Sequence, residues 1–256
     1  MNELVSIITP VFNAEKHLVD TMNSVLEQSY QNWEWYLVDD RSTDSSVSII
    51  NSYCKKDLRI HLIENKENSG AAFSRNAALA SAKGTYVAYL DSDDIWDMDK
   101  LEKQLSFMQK KEADFSCTSY RVITENGSLL NKNIFMAKQV DYTGFLTNNL
   151  LQTVGIMVHV ETVGKKLCTM PNLRRRQDAA TWLQILKAGY TCYGLSEVLA
   201  SYRRTNGSLS SNKVKAVQGI WYLYRNVEKL SLPFSVYCFI RYAILAIWKR
   251  VYIRRR

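Results

Sequence analysis

The chain opens with a repeated pattern: a short apolar run, a turn, then a stretch whose apolar residues recur at helical spacing. Residues 4–9 form the first run, a candidate buried strand ended by Pro10. Asn13 stands where an N-cap belongs, before a predicted helix over 14–28 with Leu18, Met22, Val25 and Leu26 as its apolar residues. A strand over 33–38 ends in Asp39-Asp40, and Asp44 with its serine neighbours opens a helix running to Tyr53. Residues 60–63 read as a third strand, Asn68-Ser69-Gly70 opens a helix through Ala82, and 86–90 is a fourth strand. This alternation predicts an α/β fold with a mostly parallel central sheet and helices on both faces.

The second half is less regular. A helix is predicted over 97–111, with Leu101, Leu105 and Met108 on one face, then a strand over 113–124 and a turn at Asn126-Gly127. Residues 153–160 read as a strand. Asp178 begins a helix with Trp182, Ile185 and Leu186 inward and Gly189 at its end, and 190–202 is a last strand. From Lys213 onward the chain is predicted helical and separate in character.

The fourth strand stops at Asp91-Ser92-Asp93-Asp94, three carboxylates in four residues. Clustered carboxylates are costly to bury without a cation. Two readings follow: strand-end acids that hold a metal-chelated phosphate or a sugar, or a solvated acidic turn that caps the next helix, with Asp97 as the cap. In open α/β sheets ligands bind at the carboxyl ends of the strands. That topology gathers Thr9-Pro10, Asp39-Asp40 and residues 91–94 beside one cleft and favours the first reading.

Charge changes the picture only at the C-terminus. The net charge is +8, but residues 229–256 carry seven basic side chains and no acid. Removing those seven leaves 26 basic against 25 acidic residues, so the body is nearly neutral and carries no nucleic-acid footprint. The five cysteines are far apart, form no C-x-x-C pair and suit a reducing compartment. His17, His61 and His159 fit no metal-ligand spacing. No basic leader or cleavage site precedes the first strand, so no signal peptide is expected.

Five stretches in order carry a resemblance: residues 6–13 (Ser-Ile-Ile-Thr-Pro-Val-Phe-Asn), Val38-Asp39-Asp40 through Asp44, Asn68-Ser69-Gly70 with Arg75-Asn76, Asp91-Ser92-Asp93-Asp94, and Arg176-Gln177-Asp178. Together they resemble the family 2 glycosyltransferases, which have a GT-A fold. The likeness covers residues 1–210 and is nearest to bacterial enzymes that build O-antigen, capsule or teichuronic-acid repeat units. It implies a catalytic domain over 1–210, with a nucleotide-sugar-binding half (1–97) and an acceptor-binding half (98–210), and a helical basic tail over 211–256.

By that resemblance, Asp39 accepts from the uracil N–H, and Asp40 either assists or serves its own loop. Pro10 and Phe12 frame the base, and Arg75, Asn68 and Ser92 lie at the nucleotide-sugar. Asp93 is the metal ligand, Asp91 lies near the ribose or metal, Asp94 is a helper or else a helix-proximal cap, and the implied ion is Mn²⁺, or else Mg²⁺, which suits hard oxygen ligands. Asp178 is the catalytic base, or else the cap of the helix it starts. Gln177 stands where the family often has Glu. Arg174-Arg175-Arg176 reads either as a phosphate contact for a lipid-diphosphate acceptor or as a solvated run. Arg176, Gln177, Arg203 and Arg204 are the candidate acceptor or phosphate contacts, the last two in place of a histidine that relatives carry near Thr205.

The implied activity is inverting transfer of a hexose, with UDP-glucose or UDP-galactose as donor and a β-linkage, to an undecaprenyl-diphosphate-linked saccharide. The implied place is peripheral, on the inner face of the cytoplasmic membrane. A sugar nucleotidyltransferase would need a glycine-rich phosphate loop where residues 9–13 read Thr-Pro-Val-Phe-Asn. A non-catalytic sugar-nucleotide-binding protein is the other alternative. The apolar run over 234–248 is too short to span a bilayer, and with its basic end it suits either an interfacial helix or a helix docked on the core.

Overall fold

The computed structural model describes residues 2–148, 151–173, 175–205 and 213–253. Arg174, the segment 206–212 and Arg254, Arg255 and Arg256 lie outside the described residues. The elements of the first half are β1 (Val5–Val11), α1 (Glu15–Leu26), β2 (Trp33–Asp39), α2 (Ser46–Cys54), β3 (Ile60–Glu64), α3 (Ala71–Ser81) and β4 (Tyr86–Tyr89). Then come β5 (Ile95–Trp96), α4 (Lys100–Lys111), β6 (Phe115–Ile123), β7 (Leu129–Ile134), β8 (Gln139–Val140), α5 (Tyr142–Asn148) and a 3₁₀ turn at Thr153–Gly155. The chain continues through β9 (Ile156–His159), α6 (Val160–Val163), α7 (Lys165–Cys168), α8 (Gln177–Lys187), β10 (Cys192–Arg203) and α9 (Lys213–Tyr222). A π turn at Leu223–Val227 leads to α10 (Leu232–Ile253).

One sheet holds the strands in the order β3-β2-β1-β4-β9-β6-β10-β5, with β7 on β6 and β8 on β10. The pairs among β3, β2, β1 and β4 are parallel, as is β6 with β10, whereas β9 runs antiparallel to both its neighbours. Both faces are covered, which is why the strands read as unbroken apolar runs. Alternate residues serve opposite layers. Ile7, Trp35, Leu37 and Ala88 pack in the core that includes Leu18, Val25 and Leu101. Ile8, Tyr36, Val38, Val87 and Tyr89 join the other, with Leu79, Phe115 and Trp182.

Several boundaries differ from expectation for physical reasons. Pro10 does not end β1. In the ladder, Ile8 accepts from Leu90 on the β4 side while Val11 accepts from Asp40 on the β2 side. Pro10 therefore turns its missing N–H toward β4, whose pairing with β1 ends at Ile8 opposite Tyr89. Asn13 does not cap α1. It sits at φ 47° and accepts from the Thr43 backbone N–H, while Asp44 and Ser46 accept from the backbone of Glu15 and Ala14. The helix expected from Asp97 starts at Lys100, because Ile95 and Trp96 pair with Ser201 and Ala200 of β10 first. Residues 153–160 split into a turn, a short strand and the start of α6.

The largest difference is at the C-terminus. The segment from Lys213 is not a separate tail. Ile220, Leu223, Tyr224 and Cys238 belong to the main core. Tyr224 donates to the Leu146 carbonyl, and Glu228 accepts from Tyr142 at 2.6 Å.

Candidate active site

A cavity of about 420 Å³ opens at the carboxyl ends of β1 and β4. Register creates it: Val11 lies opposite Asp39 and Ile8 opposite Tyr89, so three loops leave the sheet side by side. Pro10, Val11, Phe12 and Asp40 form one wall, Ala71 and Arg75 of α3 the next, and Asp91, Ser92 and Asp93 the acidic floor. Leu151, Gln152 and Thr153, then residues 175–178, face them. Tyr202 of β10 and Ala216 and Gly219 of α9 complete the enclosure.

The first two loops are woven together. The Asn13 N–H donates to the Ser42 hydroxyl at 2.9 Å and the Asn13 side-chain oxygen accepts from the Thr43 N–H at 2.8 Å, and Asp44 takes the backbone N–H of Glu15 at 3.0 Å and of Ser46 at 2.9 Å. One carboxylate thus serves the starts of two helices. Asp39 is buried. Its Oδ2 accepts from the Ser42 N–H at 2.9 Å, and its Oδ1 has no partner. Asp40, one residue on, is saturated: it takes Asn65 and the Ser69 N–H at 2.8 Å each and the Gly70 N–H at 2.7 Å. Gly70 holds φ 90° to turn both amides inward and start α3.

Arg75 is buried and pairs with Asp91 at 2.5 Å, while its Nε has no partner. Both Asp91 and Asp178 contribute to the negative potential at this guanidinium. Burial, then repulsion from Asp91, pushes the Asp93 carboxyl up to about 6. Asp94 is fully buried, and burial, then the charge of Asp93, push its carboxyl well above the usual carboxylate range. It accepts the Arg203 backbone N–H at 2.8 Å.

Asp178 lies in the first turn of α8, one residue past its start, and its Oδ2 is 3.5 Å from the Thr153 hydroxyl. The N-cap position belongs to Arg176, at φ 63°. Thr153 is held by its turn. Gly155 lies so close to β6 that a Cβ there would come within 2.7 Å of the Thr118 carbonyl oxygen. Trp96 donates to the Val154 carbonyl at 2.8 Å and Gln104 to that of Gly155 at 2.9 Å.

Of the residues singled out by sequence, Pro10, Phe12, Asp40, Arg75, Asp91, Ser92, Asp93, Arg176, Gln177 and Asp178 meet at this cavity. Asp39 is buried and is not among the lining residues. Four others take different places. Asn68 is exposed and only braces the Asp40 carbonyl at 3.2 Å. Arg203, expected at a phosphate, is buried with its guanidinium spent on the carbonyls of Asp93 and Glu125 and on the Asp20 carboxylate. Arg204 is exposed outside the lining, with its N–H on Ile123. Asp97 is not a helix cap but pairs with Arg121. Sequence reasoning missed Thr153, Tyr202, Ala216 and Gly219. Small residues on an ordinary amphipathic helix give α9 no local signal, whereas Gly155 beside Thr153 marked a close backbone approach.

Two carboxylates on one floor, one of them raised by burial and by its neighbour's charge, are a donor set suited to a hard divalent cation completed by ligand oxygens and water. Among the described residues no group of three His, Cys, Asp or Glu side chains converges to form a closed site. Asp91 and Asp93 thus fit such an ion as two of its oxygen ligands.

The mostly parallel sheet with helices on both faces and a cavity at its strand ends is the GT-A fold. A family model, glycosyl transferase family 2, matches residues 6–166, and the chain belongs to that family. The chain is 47% identical over 248 residues to the putative teichuronic acid biosynthesis glycosyltransferase TuaG of Bacillus subtilis, covering 97% of this chain and 98% of that one. It is 34% identical to the UDP-Glc:alpha-D-GlcNAc-diphosphoundecaprenol beta-1,3-glucosyltransferase WfgD of Escherichia coli, covering 97% and 96%. Among solved structures it matches S. aureus TarS in complex with UDP-GlcNAc at TM-score 0.72 and 21% identity, over 93% of this chain and 71% of that one. It also matches the Pyrobaculum calidifontis mannosyltransferase PcManGT in complex with GDP-Man and Mn2+, at TM-score 0.72 and 17% identity, over 98% and 76%.

Proposed function

We propose that the protein is an inverting, metal-dependent hexosyltransferase that moves a hexose from a UDP-sugar to a lipid-diphosphate-linked saccharide in surface-polysaccharide assembly. The observation that carries the reading is the joint presence of Asp91, Asp93 and Asp178 on one cavity, with Arg75 buried beside them. The relatives named for teichuronic acid synthesis and for GlcNAc-diphosphoundecaprenol as acceptor support the acceptor class.

Asp39 receives the uracil N–H on its unpartnered Oδ1, and Pro10 and Phe12 flank the base. Asp93, with Asp91, would hold Mn²⁺ or Mg²⁺, which would supply positive charge to offset that of the leaving diphosphate. Arg75 fixes Asp91, and its buried Nε–H is left without a partner. Asp178 takes the proton from the acceptor hydroxyl as that oxygen attacks the anomeric carbon from the face opposite the diphosphate. Arg176 and Gln177 meet the acceptor side, whose lipid keeps the reaction at the inner face of the cytoplasmic membrane. UDP-glucose or UDP-galactose and a β-linkage are the preferred donor and product.

The test is UDP release from a panel of UDP-sugars, with and without Mn²⁺, against a synthetic GlcNAc- or GalNAc-diphosphate-lipid. Release that requires both metal and acceptor, with an inverted anomeric centre in the product, is the expected result. Release indifferent to the acceptor, or product retaining the donor configuration, would overturn the reading.

A further inference from the structure

The outward face of α10 carries aliphatic side chains where a surface helix ordinarily carries polar ones. Leu232, Val236, Ile240 and Ile244 recur every fourth residue, and 55%, 40%, 51% and 59% of their surfaces are exposed. The side turned to the body holds Ser235 and Cys238, both fully buried. Val217, Trp221 and Tyr222 of α9 extend the exposed apolar surface, and the Trp221 ring meets Phe239 of α10 edge-on at 6.0 Å. Folding of this chain does not call for that row, because the row contributes little to its core.

Charge selects what covers it. The segment from residue 229 to the end carries seven bases and no acid, and the nearest preceding acid, Glu228, is turned inward onto Tyr142 and Lys187. A second copy of this segment would add seven more bases and no acid. No helix among the described residues is long and apolar enough to cross a bilayer. An aliphatic row with aromatic neighbours and a basic end suits the surface of an anionic bilayer.

We infer that the outer face of α9 and α10 docks on an anionic lipid surface and sets the active cavity beside it. α9 is the link: Ala216 and Gly219 line the cavity, while Val217 and Trp221 face outward. Docking therefore places the acceptor side of the cavity next to the lipid that carries the acceptor. This inference rests on the acceptor class proposed above, but the docking itself can be measured without any sugar.

The experiment is co-sedimentation of the full chain with phosphatidylglycerol/phosphatidylethanolamine vesicles, with phosphatidylcholine vesicles as the neutral control. Binding to the anionic vesicles is expected to be at least tenfold stronger and to weaken with salt. The pair I240E/I244E is expected to lose at least tenfold in vesicle binding, with its circular dichroism and its turnover of a short-chain soluble acceptor unchanged. Turnover of acceptor embedded in vesicles should fall with the binding. I240S/I244S gives the same direction should the acidic pair fold poorly. Equal partitioning of parent and variants overturns the inference, as does a parent that stays in solution. So does a concentration-dependent dimer that the same substitutions dissolve, which would assign the face to a second copy. Vesicle binding without sugar transfer would sink the functional reading and leave the docking intact.

Discussion

Lys100 offers a quantitative test of the core beneath the site. It begins α4, is fully buried, and its Nζ has no hydrogen-bond partner. Its Nζ lies over the Trp96 ring, 3.6 Å from the centroid. Burial drives the amine well below its ordinary range, and the folded chain bears the cost of neutralising or desolvating it. A buried polar group left unsatisfied costs about 1–3 kcal/mol, and a desolvated cation–π contact returns about 2 kcal/mol only while the group is charged. Lys100→Met keeps the stem, removes the amine and puts a thioether on the same ring. The expected gain is about 1–3 kcal/mol, which for a chain of this size is roughly 3–9 °C in Tm. The pH dependence fixes the cause. A lysine whose folded value is depressed binds fewer protons folded than unfolded, so the parent gains stability as pH rises toward the unfolded value of about 10.4. The advantage of the Met variant should therefore be largest near neutrality and shrink toward pH 9.5. Thermal melts of both proteins across that range read it directly. A Met variant less stable than the parent, or an advantage that does not change with pH, would refute the argument.

Four other outcomes follow from the structure. Asp178→Asn should lower kcat by about 10²–10⁴ while leaving donor binding and the melting curve in place, and a near-normal rate would remove Asp178 as the base. Asp93→Asn should instead weaken Mn²⁺ binding, read by titration calorimetry with UDP present; unchanged metal affinity would relocate the ligand. Asp44→Ala should cost about 1–3 kcal/mol at pH 7, because two helix starts lose their acceptor. Burial opposes ionisation of Asp44, but hydrogen bonds from Ser46 and the backbone outweigh it and hold the carboxyl below its ordinary value. Its contribution is thus full above about pH 4 and is lost as pH falls through the folded value, so parent and variant melts should converge in acid. Gly155→Ala should destabilise by about 1–3 kcal/mol and reduce kcat together, since the new Cβ would sit 2.7 Å from the Thr118 carbonyl oxygen and shift the turn that carries Thr153.

The parallel half of the fold was legible because both sheet faces are buried, which writes each strand as an unbroken apolar run. What escaped was set by partners distant in sequence. β5 is two residues long and exists only because Ala200 and Ser201 pair with it across more than a hundred residues of chain. The start of α1 was misread for the same reason: its amides are met by Asp44 and Ser46 from the next loop, and no nearby residue needed to supply the cap. The C-terminal helices looked separate because their outward face is as apolar as a core face. Periodicity shows that a helix has an apolar stripe but not which way the stripe turns.

The acidic motifs show the same limit at the scale of single residues. In Asp39-Asp40 and in Asp93-Asp94, adjacent carboxylates are identical in sequence but leave the backbone in different directions. Asp40 is consumed by the two amides and one side chain that start α3, and Asp94 accepts the Arg203 amide that fastens the end of β10 to the acidic loop. The loop's other tie is the Arg203 guanidinium on the Asp93 carbonyl, which is why that arginine is unavailable to a phosphate. One acid of each pair therefore builds the loop and leaves the other under-satisfied: Asp39 through an unpartnered oxygen, Asp93 through a raised carboxyl beside Asp91. The structural acid is the precondition for the functional one. A loop braced by Asp40 or Asp94 can hold its neighbour's charge in a site that would otherwise relax toward solvent. On this argument Asp94→Asn, which keeps an oxygen for the Arg203 amide, should preserve transfer far better than Asp94→Ala. Loss of activity in both alike would mean that the Asp94 charge itself acts on the ligand.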